Sequence, residues 1–149
     1  MRVVLQRVAR ASVAIDGRSV ASIGPGMLVL LGVGHGDDEA VASALARRTT
    51  ELRYFRDEDG RTNRSILDVG GAVLVVSQFT LYADTSRGRR PGFTNAAAPD
   101  VAERLYRRFA EELRAAGVAD VQTGAFGQEM AVELVNDGPF TLWLDTDRP

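Results

Sequence analysis

The chain has no cysteine among its 149 residues. Disulfides, thiol nucleophiles and cysteine-ligated zinc or iron–sulfur sites are therefore excluded. Histidine occurs once, at His35, so a multi-histidine metal site and a paired-histidine relay are excluded too. Long apolar runs are missing. The longest, Met27 to Leu31, is far too short to span a bilayer. The opening Met1-Arg2-Val3-Val4-Leu5-Gln6-Arg7 reaches two arginines too early for a signal peptide. The expectation is a cytoplasmic protein with no membrane contact. A strong charge of one sign is also absent. The net charge is −2, so any contact with nucleic acid must come from a local patch.

What is present is an ordinary globular composition, 45% hydrophobic and 26% charged, whose length fits one domain over 1–149. Residues 2–8 alternate as a strand. Ser12 to Ile15, Asp16-Gly17 and Ser19 to Ile23 read as a hairpin around a type I′ turn. Gly26 to Val33 reads as a buried central strand. A helix is expected from Glu39 after a cap at Asp37 or Asp38, with Val41, Leu45 and Leu52 inward. Arg56-Asp57-Glu58-Asp59-Gly60 is a solvated loop. Ala72 to Leu81 is the strongest strand candidate, and 84–97 a long loop. A second helix is expected from Pro99 to Ala116, with Val101, Leu105, Phe109 and Leu113 as its buried stripe. Two final strands are expected to flank a turn at Gly138-Pro139. About seven strands and two helices make an α+β fold dominated by antiparallel pairing.

Chemistry is sparse. Ser77-Gln78-Phe79-Thr80 lies where the best strand feeds a loop, a favoured place for sites. A nucleophilic Ser77 or Thr80 needs a base. His35, between Gly34 and Gly36, reads as a turn residue, and no G-x-S-x-G elbow is present. Backbone amides at the strand end are the alternative, since such donors stabilise an oxyanion without histidine, metal or thiol. Arg87, Arg89 and Arg90 sit in one Gly-rich loop; they are either a solvated surface or a phosphate clamp. No P-loop, dinucleotide fingerprint or zinc-ligand spacing occurs. Asn136-Asp137-Gly138-Pro139-Phe140-Thr141 is an ordinary corner or a functional turn, in which Gly permits close approach and Pro fixes the backbone.

Two of these segments, Ser77-Gln78-Phe79-Thr80-Leu81 and Asn136 to Thr141, closely resemble the paired motifs of the D-aminoacyl-tRNA deacylases (the D-tyrosyl-tRNA deacylase family). The likeness runs over nearly the whole chain. It takes in Gln6 to Val13, Gly26 to Gly34, Ala83-Asp84-Thr85, Arg90-Pro91, and Thr123-Gly124 with Phe126 and Met130. Ser77 and the Asn136 motif favour this family over its relative acting on L-alanyl-tRNA with a mismatched tRNA, in which Pro replaces that Ser. Gly92 departs from the pattern, where Ser is more usual.

The resemblance implies a three-layer β/β/α homodimer and metal-independent, cofactor-free hydrolysis of the ester of D-aminoacyl-tRNA, with glycyl-tRNA as a side substrate. It implies that Ser77, Gln78, Phe79 and Thr80 bind the terminal adenosine and the reacting carbonyl. Phe126, Met130 and Asn136 would line the pocket, and Arg87, Arg89 and Arg90 would meet tRNA phosphates. A cis Gly138-Pro139 would enter the partner's pocket and exclude L-aminoacyl groups. Two other readings compete: a hydrolase of small nucleotide esters or phosphoesters, and a non-catalytic RNA-binding β-module. Few aromatics and a slightly acidic chain disfavour the second.

Overall fold

A computed structural model describes residues 1–147. Its eight strands are β1 (Arg2–Ile15), β2 (Arg18–Ile23), β3 (Gly26–Gly32), β4 (Phe55–Arg56), β5 (Thr62–Arg64), β6 (Ala72–Ser77), β7 (Val121–Thr123) and β8 (Ala131–Asp145). The helices are α1 (Glu39–Glu51), α2 (Ile66–Val69) and α3 (Pro99–Ala115), with a 3-10 turn at Phe79–Tyr82. The α+β class is as expected. The four-residue α2, built on a Ser65–Asp68 capping box, adds a helix that was not anticipated.

The main sheet runs β2-β1-β3-β6-β7, with β8 on the other side of β1. Antiparallel pairing holds around β1, but β3–β6 and β6–β7 are parallel, so the sheet is mixed rather than antiparallel throughout. The reason lies in the connections: α1 to α2 and α3 cross over between these strands, and such crossovers return the chain in the same direction. Asp16 and Gly17 both have positive φ and close the β1–β2 hairpin as the type I′ reading requires.

One sheet face packs Val3, Leu5, Met27, Val29, Val73 and Val75 against Leu45 of α1 and Leu105, Phe109 and Leu113 of α3. The other face buries Leu28, Leu74 and Val76 against Val13 and Ile23, because β1 and β2 curl back over it. Helices, central strands and curled strands thus form successive layers, and β3 and β6 are buried on both faces. Two strand expectations are corrected. The apolar pattern of Ala72 to Leu81 predicts strand throughout, but β6 ends at Ser77. The Gln78 amide still bonds Leu31 O at 2.7 Å, and then the Leu81 amide turns back onto Gln78 O at 3.2 Å. The two strands expected around Gly138-Pro139 are one. Both halves of β8 pair antiparallel with β1, from Arg2↔Asp145 to Gln6↔Thr141 and again from Val8↔Asn136 to Ala14↔Ala131. The chain does not reverse there. Residues 137–140 bulge out opposite Arg7.

Candidate active site

The turn at Phe79–Tyr82 begins where the parallel strands β3 and β6 end. As in any helix start, its first amides have no partner within the turn. The amides of Phe79 and Thr80 donate to nothing among the described residues, whereas those of Leu81 and Ala83 close the turn. Gln78 Nε2 donates to Thr80 Oγ1 at 2.5 Å. That bond fixes the Thr80 hydroxyl, and no basic side chain is bonded to it. The His35 ring is at hydrogen-bond distance from Thr94 O, 2.8 Å, on the exposed loop.

The rear of the turn is held firmly. Arg2 Nη1 donates to Leu81 O at 3.0 Å and Nε to Asp145 Oδ2 at 3.1 Å, with the guanidinium 4.4 Å from the Tyr82 ring centre. The Tyr82 hydroxyl donates to Asp37 Oδ2 at 3.4 Å, and Asp37 also takes the Met1 ammonium and the Gly34 amide. Burial, with the Asp37 charge second, pushes the Tyr82 hydroxyl pKa up. A Cβ at Gly34 would overlap the Tyr82 ring, so only glycine lets strand and ring meet there.

Phe126 and Met130 lie near Gly124, the residue after β7, whose amide bonds Val75 O of β6. Phe126 leans on Tyr106, with ring centres 5.8 Å apart, and lines a cleft of about 550 Å3 with Glu103, Arg107, Gly124 and Gln128. Met130 packs against the second core near Val76 and approaches Gly124 closely. Tyr106 ties these parts together. Its buried hydroxyl reaches Val75 O at 2.8 Å and Gly124 O at 3.2 Å, and burial lifts its pKa to about 12.

The Gly138-Pro139 peptide is cis. It projects into solvent, and its base is anchored. Asn136 Oδ1 accepts from the Phe140 amide at 2.7 Å, and Asn136 Nδ2 donates to Phe140 O at 3.3 Å and Thr141 Oγ1 at 3.2 Å. Arg7 fills the space beneath. It is buried and donates to Asp137 O at 2.8 Å and Tyr54 O at 2.6 Å, with the Phe140 ring 4.7 Å away. Within one chain this bulge does not join the turn. The bulge lies level with Arg7, hence Met27 and Val73, while Ser77 lies level with Val3 and Leu31. That is four residues, roughly 13 Å, along β6 and three strands across the sheet. The structure therefore sets Phe126 and Met130 beside Gly124, next to β6, and places Asn136 with Gly138 and Pro139 elsewhere.

Residues 4–145 match the family model for D-Tyr-tRNA(Tyr) deacylase. The chain belongs to this family. It is 61% identical to the D-aminoacyl-tRNA deacylase of Thermomicrobium roseum, over 98% of this chain and 94% of that one. It is 58% identical to that of Paracoccus denitrificans, over 98% and 97%. Among solved structures, the c-Myc DNA Unwinding Element Binding Protein superposes with a TM-score of 0.93 at 38% identity, covering 98% of this chain and 99% of that one. A probable eukaryotic D-amino acid tRNA deacylase, at 20% identity and TM-score 0.81 over 96% and 97% of the chains, shares the fold.

Within this family fold, Arg2 holds the Phe79–Tyr82 turn, Arg7 the bulge and Tyr106 the Gly124 segment, roles not read from the sequence. Arg7 carried a readable signal. In an alternating strand it shares the inward phase of Val3 and Leu5, and an inward arginine needs partners. Arg87, Arg89 and Arg90 are exposed, and none forms an ion pair among the described residues.

Proposed function

We propose that the protein hydrolyses the ester of D-aminoacyl-tRNA, releasing D-amino acid and tRNA. The observation that carries this reading is the pair of free amides at Phe79 and Thr80, at a strand end in a chain of this family. Two unpaired donors at one turn suit a carbonyl oxygen that gains negative charge when water attacks. The substrate's own ribose hydroxyl, beside the ester, assists the water, since no side-chain base is bonded to Thr80. Ser77 and Gln78 take the adenosine, Phe126 and Met130 border its pocket, and Arg87, Arg89 and Arg90 meet tRNA phosphates.

The second element of the site comes from a second copy. The anchored Gly138-Pro139 projection is too far from its own chain's turn, so in a homodimer it enters the partner's pocket. The free edge of β8, paired only to β1 among the described residues, gives the copies a surface to meet on. Gly138-Pro139 acts by exclusion. A rigid peptide beside the α-carbon rejects an L side chain without gripping a D one, which suits an enzyme accepting many D-amino acids. Glycyl-tRNA, with nothing to exclude, is turned over to some degree.

The test is deacylation of D-tyrosyl-, L-tyrosyl- and glycyl-tRNA in parallel with a D-aminoacyl ester of a free nucleotide. Turnover of D-tyrosyl-tRNA with L-tyrosyl-tRNA spared supports the reading. Turnover of the free nucleotide ester alone favours the small-ester hydrolase, and binding of tRNA without turnover the RNA-binding module.

A further inference from the structure

Phe79 and Phe93 are large apolar side chains left open to solvent, 55% and 39% exposed. Their rings meet edge to face with centres 5.0 Å apart. Exposed aromatics in contact with each other are a surface to be covered rather than scattered apolar residues. The segment carrying Phe93 is built to hold it still. Asp84 and Gly92 exchange backbone hydrogen bonds at 2.8 and 2.9 Å, and the Ala96 amide closes onto Phe93 O at 3.1 Å. The His35 ring meets Thr94 O one residue further on. Between Asp84 and Gly92 stand Arg87, Arg89 and Arg90, all exposed and without ion-pair partners among the described residues. Phe79 itself supplies one of the two free amides, so its ring lies one residue's breadth from the reacting ester.

We propose that Phe79 and Phe93 form a stacking platform for the unpaired nucleobase that precedes the terminal adenosine. The inference rests on the reading of the turn as the ester site. A charged tRNA ends in a single strand, so the base before the esterified nucleotide is available for stacking. Every base has a π-face, so such a platform holds the strand without reading its sequence. The unpaired arginines supply the positive charge that follows a phosphate backbone past the rings. A single-stranded nucleic acid suits both features, since it carries π-faces and phosphates together. The platform fixes the strand on one side of the ester, and the pocket at Phe126 and Met130 fixes the adenosine on the other.

The experiment compares one D-tyrosyl ester on three carriers: full tRNA, a cytidine–adenosine dinucleotide, and adenosine alone. Phe93→Ala should lower kcat/KM on the first two by on the order of tenfold, chiefly through KM. It should leave the adenosine ester unchanged, and Phe93→Tyr should restore the loss. A second readout needs no hydrolysis. An uncharged 3′-terminal trinucleotide with 2-aminopurine before its last adenosine should lose fluorescence on wild type and not on Phe93→Ala. Quenching by wild type without turnover of any ester would overturn the reading of the turn and leave the platform standing. An equal loss on all three carriers, no loss on tRNA, or quenching unaffected by Phe93→Ala would overturn the platform.

Discussion

At the scale of single residues, the account rests on main-chain donors rather than side-chain chemistry. Phe79 is the first residue of its turn, a position where proline is tolerated because that amide is unpaired within the turn. Phe79→Pro therefore deletes one donor without breaking the fold. It is expected to lower kcat by about 100-fold or more relative to Phe79→Ala, which keeps the N–H. Equal kcat for the two variants would place the oxyanion elsewhere. Thr80→Ala and His35→Ala should each retain most activity, and a chelator should change little. A loss of several orders of magnitude in any of the three would restore a side-chain or metal mechanism. Gly138 and Arg7 define the projection. An added Cβ at Gly138 would overlap the Phe140 amide, so Gly138→Ala must move the peptide. Arg7→Met leaves the carbonyls of Tyr54 and Asp137 without their donor, at about 1–3 kcal/mol of stability. Both variants should turn over L-tyrosyl-tRNA measurably while still cleaving the D form. Unchanged selectivity in both would mean chirality is read away from the bulge.

At the scale of elements, the loop between β6 and α3 is the part most open to test. The triple substitution of Arg87, Arg89 and Arg90 by Ala should weaken every D-aminoacyl-tRNA about equally and flatten the salt dependence of binding. An unchanged slope would make these arginines a solvated surface. The loop also has a pH dependence. The Ser86 hydroxyl and amide, bonded to Asp84, hold its carboxyl below the usual aspartate range. Its contribution to loop order is therefore present above the ordinary aspartate pKa and lost as pH falls through the lower folded value. Ser86 amide signals in NMR should stay sharp through mildly acid pH in wild type and broaden at all pH values in Asp84→Ala. Much of this layer was legible in the sequence. Asp16-Gly17 marked its hairpin, and Asp37-Asp38 marked a helix start whose cap proves to be Asp38, because local chemistry decides both. The end of β6 was not legible, since Phe79 and Leu81 continue a strand-like pattern. The turn there is closed by its own backbone bonds and held by Arg2 at Leu81 O and by Tyr82 on Asp37, tertiary contacts that the local pattern does not signal. The bulge was read as a corner because Asn-Asp-Gly-Pro signals a turn, and only pairing with β1 on both sides shows that the strand continues.

At the scale of the whole molecule, two motifs about 60 residues apart identified the family. Their distance along the sheet keeps them apart within one chain, which is the basis for proposing that a second copy completes the site. Family resemblance implies a site shared between two copies, and the strand register is compatible with that proposal. The bulge is level with Arg7 and the free amides are level with Val3. Activity should therefore fall with dilution below the dimer dissociation constant, and monomeric variants should be inactive. The most direct measurement is complementation between two disabled variants. Phe79→Pro lacks the donor in its own pocket, and a variant with Gly138 and Pro139 both replaced by Ala lacks the projection. Each alone should fail to hydrolyse D-tyrosyl-tRNA selectively. Mixed and allowed to exchange subunits, they form heterodimers in which the intact projection of the first enters the intact turn of the second. The account predicts that selective D-tyrosyl-tRNA hydrolysis returns on mixing. Subunit exchange with no return of selective activity would contradict it.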